Sequence, residues 1–339
     1  MTRLLVILSI CVATSASANV WDRAGSRGSE AAQDQYDKSM RDGDEAILLA
    51  NARSASRPLA ERQVNIGLRA YRDAAIARPD AAEPYYRIIE TLNTFYFGLC
   101  SKNPRILGFN SPLCDPDKFN LTRADELIVA INEFEKRAPL DPRLCNAFGG
   151  DLWFDRAIAN TRFGTDAHLK LAAEDYERLI DCKDGSDGDL DTVWSNLAET
   201  YMMLGRLTDA IVAYREAVRR GGNVSTHYGL AVALDRDDSP MQARDVILAQ
   251  GQEGFTRFMS GVFEKEYFYV PDGEVFYYTA LAQETWGHPS DAITAWKRFI
   301  QSGAHPQFQP RAKAHLDALL KSPPPRPAPP PLDPLDLFP

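Results

Sequence analysis

The chain has 339 residues, of which 45% are hydrophobic and 25% are charged, and its formal net charge is -9. This composition can bury a large core and is not that of a disordered protein. A clearly acidic chain is a poor candidate for binding nucleic acid, because the phosphate backbone attracts basic surfaces. We therefore expect a folded protein whose partners do not include nucleic acid.

Residues 1–18 have the pattern of a secretory signal peptide. Arg3, the apolar run from Leu4 to Val12 and the small-residue stretch that follows predict cleavage after Ala18. No other run approaches membrane-spanning length, so no integral membrane segment is expected after cleavage. The sequence thus predicts a periplasmic or secreted protein. A lipoprotein anchor at Cys11 is not expected, because an isoleucine precedes it and the apolar run before it is short.

Four cysteines lie beyond the signal peptide, at Cys100, Cys114, Cys145 and Cys182. An even number of cysteines in an exported chain favours two disulfides, which four cysteines can form in three ways. Local closure of the insertion between Cys100 and Cys114 is geometrically easiest, and the remaining pair would then close across the predicted third hairpin at about 151–181. We therefore predict that Cys100 pairs with Cys114 and that Cys145 pairs with Cys182.

The stretch from Trp194 to Ala217 has the most informative pattern. Small and large residues recur three and four positions apart in two stripes, which predicts two amphipathic helices. A glycine between them stands where a helix C-terminus favours a residue with positive φ. The residues that define the pattern are Trp194, Leu197, Ala198, Tyr201, Gly205, Ala210, Tyr214 and Ala217.

The order W-x2-L-A-x2-Y, then G, then A-x3-Y-x2-A, resembles the tetratricopeptide repeat (TPR), a helical hairpin of ~34 residues. The resemblance implies an all-α fold, an α-solenoid of about six TPR-like helical hairpins with a C-terminal capping helix. It departs from the family at Gly221 and Gly222, which stand in place of the usual proline.

Composition and periodicity divide the chain into five segments. The segments are the signal peptide at 1–18, a polar arm or weak helix at 19–42, N-terminal TPR-like hairpins at 43–182 with a cysteine-containing insertion at 98–121, C-terminal repeats and the capping helix at 191–321, and a Pro-rich tail at 322–339. The tail cannot form a core, so we expect it to be disordered and polyproline-like.

The resemblance also implies a concave groove lined by inward-facing positions of the first helix of each hairpin. These positions fall on Tyr86, Glu90, Phe154, Arg162, Glu199, Met202, Tyr228, Asp235, Tyr277 and Glu284, together with Asn93 and Ile158. The set lacks the Lys and Asn cluster with which chaperone-type members hold a terminal carboxylate. A mixed aromatic, methionine and acidic surface suits an extended or helical segment with some basic character.

A search for an active site finds little chemistry. The five histidines have no metal-ligand spacing, and no zinc, phosphate-loop or dinucleotide motif occurs. Acidic pairs of the kind present here are common on solvated helix faces. We therefore expect no catalytic residue, no metal site and no cofactor.

Three functions remain open. The first is a non-catalytic scaffold that binds a protein or peptide in the groove, in assembly of an envelope or periplasmic complex. The second is a periplasmic small-molecule or lipid binder, similar to accessory subunits of solute transporters, that uses the aromatic block from Phe255 to Tyr278. Those rings are also explained as core, since aromatic residues dominate core burial. The third is an enzyme that uses the insertion, and no nucleophile with a neighbouring base supports it.

Overall fold

A computed structural model describes residues 29–97, 112–115, 119–145, 151–183, 190–264, 267 and 269–321. Within these ranges the regular structure is helical and contains no strand, which confirms the predicted all-α class. The predicted signal peptide, Cys11, Cys100, most of the insertion and the Pro-rich tail lie outside the described residues.

The described residues form fourteen α-helices. Their bounds are α1 29–52, α2 Arg57–Ala77, α3 Glu83–Leu92, α4 Leu121–Arg137, α5 Leu152–Phe163, α6 Asp166–Lys183, α7 Leu190–Met203, α8 Leu207–Arg219, α9 Val224–Arg236, α10 Pro240–Ala249, α11 Gly251–Phe263, α12 Val275–Thr285, α13 Pro289–Ser302 and α14 Gln309–Lys321. A π-helical turn, Asn93–Phe97, extends α3, and 3-10 turns occupy Pro142–Leu144, Asp272–Glu274 and Pro306–Phe308.

The chain divides into two compact units. The first unit ends at Val193 and the second begins at Trp194, so the division falls inside α7. The second unit begins three residues after 191, where the sequence-predicted C-terminal repeats start.

In the first unit, helices pack on their sequence neighbours: α2 on α3, α3 on α4, α4 on α5 and α5 on α6. Their buried side chains recur three and four positions apart, which places them on one helix face. Leu68, Ile89, Ile131 and Phe134 are almost fully buried in a common cluster. The connection is short between α5 and α6, whereas the insertion separates α3 from α4 along the chain.

Part of the predicted polar arm is helical. Residues 29–42 belong to α1, which continues past the predicted boundary at 43 without a break. A Cβ at Gly43 would overlap the ring of Tyr71, so α1 and α2 approach closely where this glycine lies. The Tyr71 hydroxyl donates to Asp44 at 2.8 Å, which adds a polar contact to the packing. Sequence periodicity alone did not predict the full length of α1, because the contacts with α2 stabilise this helix.

In the second unit α9 is central, since it contacts α8, α10, α11 and α12. Most residues that define the repeat-like pattern are buried there. Ala198, Ala210 and Ala217 are fully buried, Leu197, Tyr201 and Tyr214 are nearly so, and Trp194 is half-buried. Gly205 has a φ of 74°, as the sequence predicted. Helix α11 falls outside the predicted scheme of paired helices.

A disulfide joins Cys145 to Cys182, with their Cα atoms 6.7 Å apart, and confirms that predicted pair. Cys114 is also disulfide-bonded, while Cys100 lies outside the described residues. Arg57 donates hydrogen bonds to the carbonyl oxygens of Leu113 and Cys114, at 2.8 and 3.1 Å. The described part of the insertion is thereby attached to α2.

Across the residues that the structure describes, no helix combines the length and the apolar character needed to cross a membrane.

Candidate functional site

The predicted groove positions differ in solvent exposure between the two units. In the first unit the predicted positions are all half-buried, so part of each side chain meets water: Tyr86, Glu90, Asn93, Phe154, Ile158 and Arg162. In the second unit Met202, Tyr228, Asp235 and Tyr277 are almost completely buried. Glu199 and Glu284 are half-buried and already hold partners. The accessible part of the predicted groove therefore belongs to the first unit.

One set of half-buried side chains lies on α3, on the turn that follows it and on α5, and we call this set the α3–α5 face. It consists of Tyr86, Glu90, Asn93, Asp155, Ile158 and Arg162, and does not include Phe154.

A hydrogen bond joins the two helices of this face. The Asn93 side-chain amide donates to Oδ2 of Asp155 at 2.6 Å. Burial raises the pKa of the half-buried Asp155 to about 6; the bond from Asn93 opposes this rise and the nearby Asp151 adds to it. Asp155 is thus a carboxylate that ionises close to neutrality, and a cation placed beside it would favour its charged form.

Asn93 begins the π-helical turn that extends α3. Single π turns inserted in α-helices are uncommon and often occur at functional sites. The turn places Phe95 and Tyr96 in the core of the first unit. Asn93 stays at the face, where it can hold Asp155.

Tyr86 lies at the other end of α3. The Arg143 guanidinium carbon is 4.0 Å from the centre of the Tyr86 ring, and the Phe134 ring is 5.9 Å away. Asp141 fixes Arg143 through two hydrogen bonds of 2.9 Å. The ring is therefore supported on one side and half-exposed, which is the arrangement of a preorganised contact residue.

Two of the predicted residues, Phe154 and Arg162, lie near opposite ends of α5. The Arg162 guanidinium carbon is 4.9 Å from the centre of the Phe119 ring. Phe154 meets Tyr176 of α6 edge to face, with 6.0 Å between ring centres. Phe154 thus contributes mainly to packing, whereas Arg162 supplies a basic group at the end of the face.

In the second unit, other helices cover the predicted groove aromatics. Tyr228 stacks on Phe258 of α11, with ring centres 3.9 Å apart and nearly parallel planes. Tyr277 meets Trp296 and Phe299 of α13 edge to face. The expectation that these tyrosines face water in a groove does not hold, because α11 and α13 remove them from solvent.

Asp235 lies at the centre of a buried polar cluster. It accepts hydrogen bonds from the Tyr277 hydroxyl at 2.6 Å and from Arg311 at 2.8 Å, and the His315 ring is 3.1 Å away. Burial alone would raise its pKa, but the hydrogen bonds from His315, Arg311 and Tyr277 hold that pKa well below the usual range. Asp235 is a structural anchor for α14 and is not a groove residue.

Glu199 and Glu284 also serve internal contacts. The hydroxyls of Tyr214 and Tyr278 donate to Glu199 at 2.5 and 2.6 Å. The Trp296 indole donates to Glu284 at 2.9 Å. Oε2 of Glu199 and the carboxylate of Glu284 are thus engaged in contacts inside the second unit.

Much of the aromatic block at Phe255 to Tyr278 is packed, although Phe263 is 83% exposed. Phe258, Tyr277, Tyr278 and Phe255 are all buried. Phe258 contacts Tyr228 on one side and Tyr267 on another. These rings fill the interior of the second unit, which agrees with the core interpretation.

Two charged groups were not identified from the sequence. Asp155 was missed because its raised pKa depends on burial against α3, and Asn93 is 62 residues away. Arg156 was missed because a buried arginine is recognised only by its partners, here Asp175 and Glu135. No local motif marks either residue.

Among the described residues, no group of three or more His, Cys, Asp or Glu side chains is arranged to hold a metal ion. Comparison with protein-family models and with curated proteins finds no match to this sequence. The geometry of the α3–α5 face is therefore the basis for a functional conclusion.

Proposed function

We propose that the chain is an exported, non-catalytic TPR-like scaffold that binds a protein or peptide segment on the α3–α5 face. The observation that carries this proposal is the difference in exposure between the units. Predicted groove side chains are half-exposed in the first unit, whereas their counterparts Met202, Tyr228 and Tyr277 are buried. A partner can remove water only from side chains that meet it.

The chemistry of the face favours a segment with basic character. Glu90 forms an ion pair with Arg87 at 3.1 Å, and both side chains are about 40% exposed. Within the described residues, the Asp155 carboxylate accepts a hydrogen bond from the Asn93 side chain. A lysine or arginine of the partner would offset the cost of ionising Asp155 in a half-buried place. Tyr86 and Ile158 supply apolar area beside these acids, as hot spots usually do.

Peptide selection tests the proposal. A random peptide library displayed on phage is selected against the folded protein, and the Kd of each enriched peptide is measured by calorimetry. We expect enriched peptides to pair lysine or arginine with an aromatic or aliphatic residue. Tyr86→Ala and Ile158→Arg should each weaken binding by at least about tenfold, corresponding to ~1.4 kcal/mol.

Val129→Arg is a matched control, because Val129 is 50% exposed on α4 and is not part of the face. It should leave the Kd unchanged. Enriched peptides that bind Tyr86→Ala and Ile158→Arg as tightly as the unmodified protein would place the partner site elsewhere.

The small-molecule alternative receives no comparable support. It needs a hollow among the aromatic rings at 255–278, and Phe258 of that block stacks on Tyr228 at 3.9 Å and on Tyr267 at 6.1 Å.

A further inference from the structure

A second cleft lies on the first unit between α4, α5 and α6. Its volume is about 170 Å³, which corresponds to five or six waters at ~30 Å³ each. Ile128 and Leu171 form its apolar part, and Arg156, Asn160, Glu174 and Arg178 are among its polar residues. We call it the α4–α6 cleft.

The cleft is distinct from the α3–α5 face. Arg156 and Asn160 are four residues apart and share one side of α5. At about 100° per residue, that side is directed well away from the side that carries Asp155, Ile158 and Arg162. Binding in the cleft is therefore separable by mutation from binding on the α3–α5 face.

The arginines of the cleft are neutralised by neighbouring acids. Arg156, which is 7% exposed, donates two hydrogen bonds of 2.7 Å to Asp175 and one of 2.7 Å to Glu135. Arg178 donates to the second oxygen of Glu135 at 2.5 Å. Glu174 lines the same cleft and adds a third carboxylate. Two arginines against three carboxylates do not favour an anionic ligand.

Asn160 leaves a donor without a protein partner. It is 1% exposed, and its Oδ1 lies 2.8 Å from Nδ1 of His168. Among the described residues its NH2 group donates to nothing, although it lines the cleft. This donor opens on the cleft and is not a buried, unsatisfied group, so a ligand that supplied a carbonyl oxygen would take the place of water there.

We propose that the α4–α6 cleft binds a neutral carboxamide, the side chain of a glutamine or asparagine in a polypeptide. The carbonyl oxygen of the carboxamide accepts from the Asn160 NH2 group, and its own NH2 group donates to the Glu174 carboxylate. The methylene groups of the ligand contact Ile128 and Leu171, the second of which is 49% exposed. A carboxamide has both a carbonyl acceptor and an NH2 donor, so it satisfies both polar sides of the cleft.

The test uses three capped amino acids that differ only in the side chain. They are N-acetyl-glutamine-N-methylamide and the corresponding glutamate and methionine compounds. Each is titrated into 15N-labelled protein at neutral pH, and the side-chain NH2 signals of Asn160 are followed by NMR. An Asn160→Leu sample assigns those signals. We expect saturable shifts with the glutamine compound, binding at least about tenfold weaker with the glutamate compound, and no shift with the methionine compound.

Leu171→Trp fills the mouth of the cleft from an exposed position and should abolish the shifts, with the melting temperature as a check on folding. Val129→Trp, at an equally exposed site on α4, should leave them unchanged, as should Tyr86→Ala on the α3–α5 face. Binding of the glutamate compound as tight as that of glutamine, no saturable shift with glutamine, or unchanged binding in Leu171→Trp would each overturn the proposal. These outcomes do not depend on the peptide selection against the α3–α5 face.

Discussion

The imidazole of His315 lies 3.1 Å from the carboxylate of Asp235, Nε2 to Oδ1, and this contact joins α14 to the central helix α9. The other ring nitrogen, Nδ1, lies 3.0 Å from Glu284 of α12. Burial disfavours the charged ring, but the hydrogen bonds and charges of the two carboxylates outweigh it and raise the pKa of His315 to about 9. The protonated histidine holds three helices of the second unit together.

The first prediction concerns stability at alkaline pH. An unfolded histidine has a pKa of about 6.5, so the raised folded value contributes stability that is complete below pH ~6.5 and is lost as pH rises through ~9. The free energy of unfolding should fall by on the order of 3 kcal/mol over this range, an effect that His315 shares with Asp235 and Glu284. Urea denaturation of the second unit at several pH values measures it. His315→Gln should flatten the dependence in this window, and an equal slope in that variant would contradict the assignment.

The second prediction concerns Asp155. Because its folded pKa, about 6, exceeds that of a free aspartate, folding favours the neutral carboxyl, and stability falls as pH rises from ~4 through ~6. Asp155→Asn should remove this dependence and stabilise the first unit at neutral pH by ~1 kcal/mol, a value reduced for partial exposure. Thermal melts at pH ~5 and ~7.5 test this. A destabilised variant at neutral pH would mean that the charged form is the one the fold requires.

The third prediction separates core from surface tyrosines. Tyr277→Ala should cost ~3–5 kcal/mol, because the fully buried ring contacts Trp296 and Phe299 and its hydroxyl donates to Asp235. Tyr277→Phe, which loses the hydrogen bond alone, should cost ~1–3 kcal/mol. Tyr86→Ala should cost less than Tyr277→Ala, since Tyr86 is half-exposed. Chemical denaturation compares the three, and equal losses for both alanine variants would argue that Tyr86 is core.

The fourth prediction concerns the disulfide between Cys145 and Cys182, which are 37 residues apart in sequence. Closing a loop of that length lowers the entropy of the unfolded chain, and on this model the bond contributes ~4 kcal/mol. The Cys145→Ser, Cys182→Ser double variant should therefore unfold at lower urea in the first unit. An unchanged urea midpoint in the double variant would contradict this contribution.

The fifth prediction concerns helix packing at Ala198, which is fully buried. Ala198→Leu adds atoms to a close contact and should cost ~1–3 kcal/mol. Val212→Leu is a suitable control, because Val212 is 59% exposed on α8 and an added methylene there has room. An unchanged denaturation midpoint in Ala198→Leu would count against the repeat-like register.

The sequence by itself determined the helical class and several local features. Three- and four-residue spacing of apolar side chains depends only on the period of the helix, so the stripes of α7 and α8 were recognised without a structure. The positive φ of Gly205 and the pairing of Cys145 with Cys182 were predicted on similarly local grounds. The signal peptide, the repeat family and the groove remain predictions.

Tertiary structure decided which predicted groove residues meet water. Periodicity identifies the face on which a side chain lies, but not whether a distant helix covers that face. Phe258 covers Tyr228 from α11, and Arg311 and His315 reach Asp235 from 76 and 80 residues further along the chain. The open positions of α3 and α5 were distinguished from the covered ones of α9 and α12 by such long-range contacts, which no local spacing encodes.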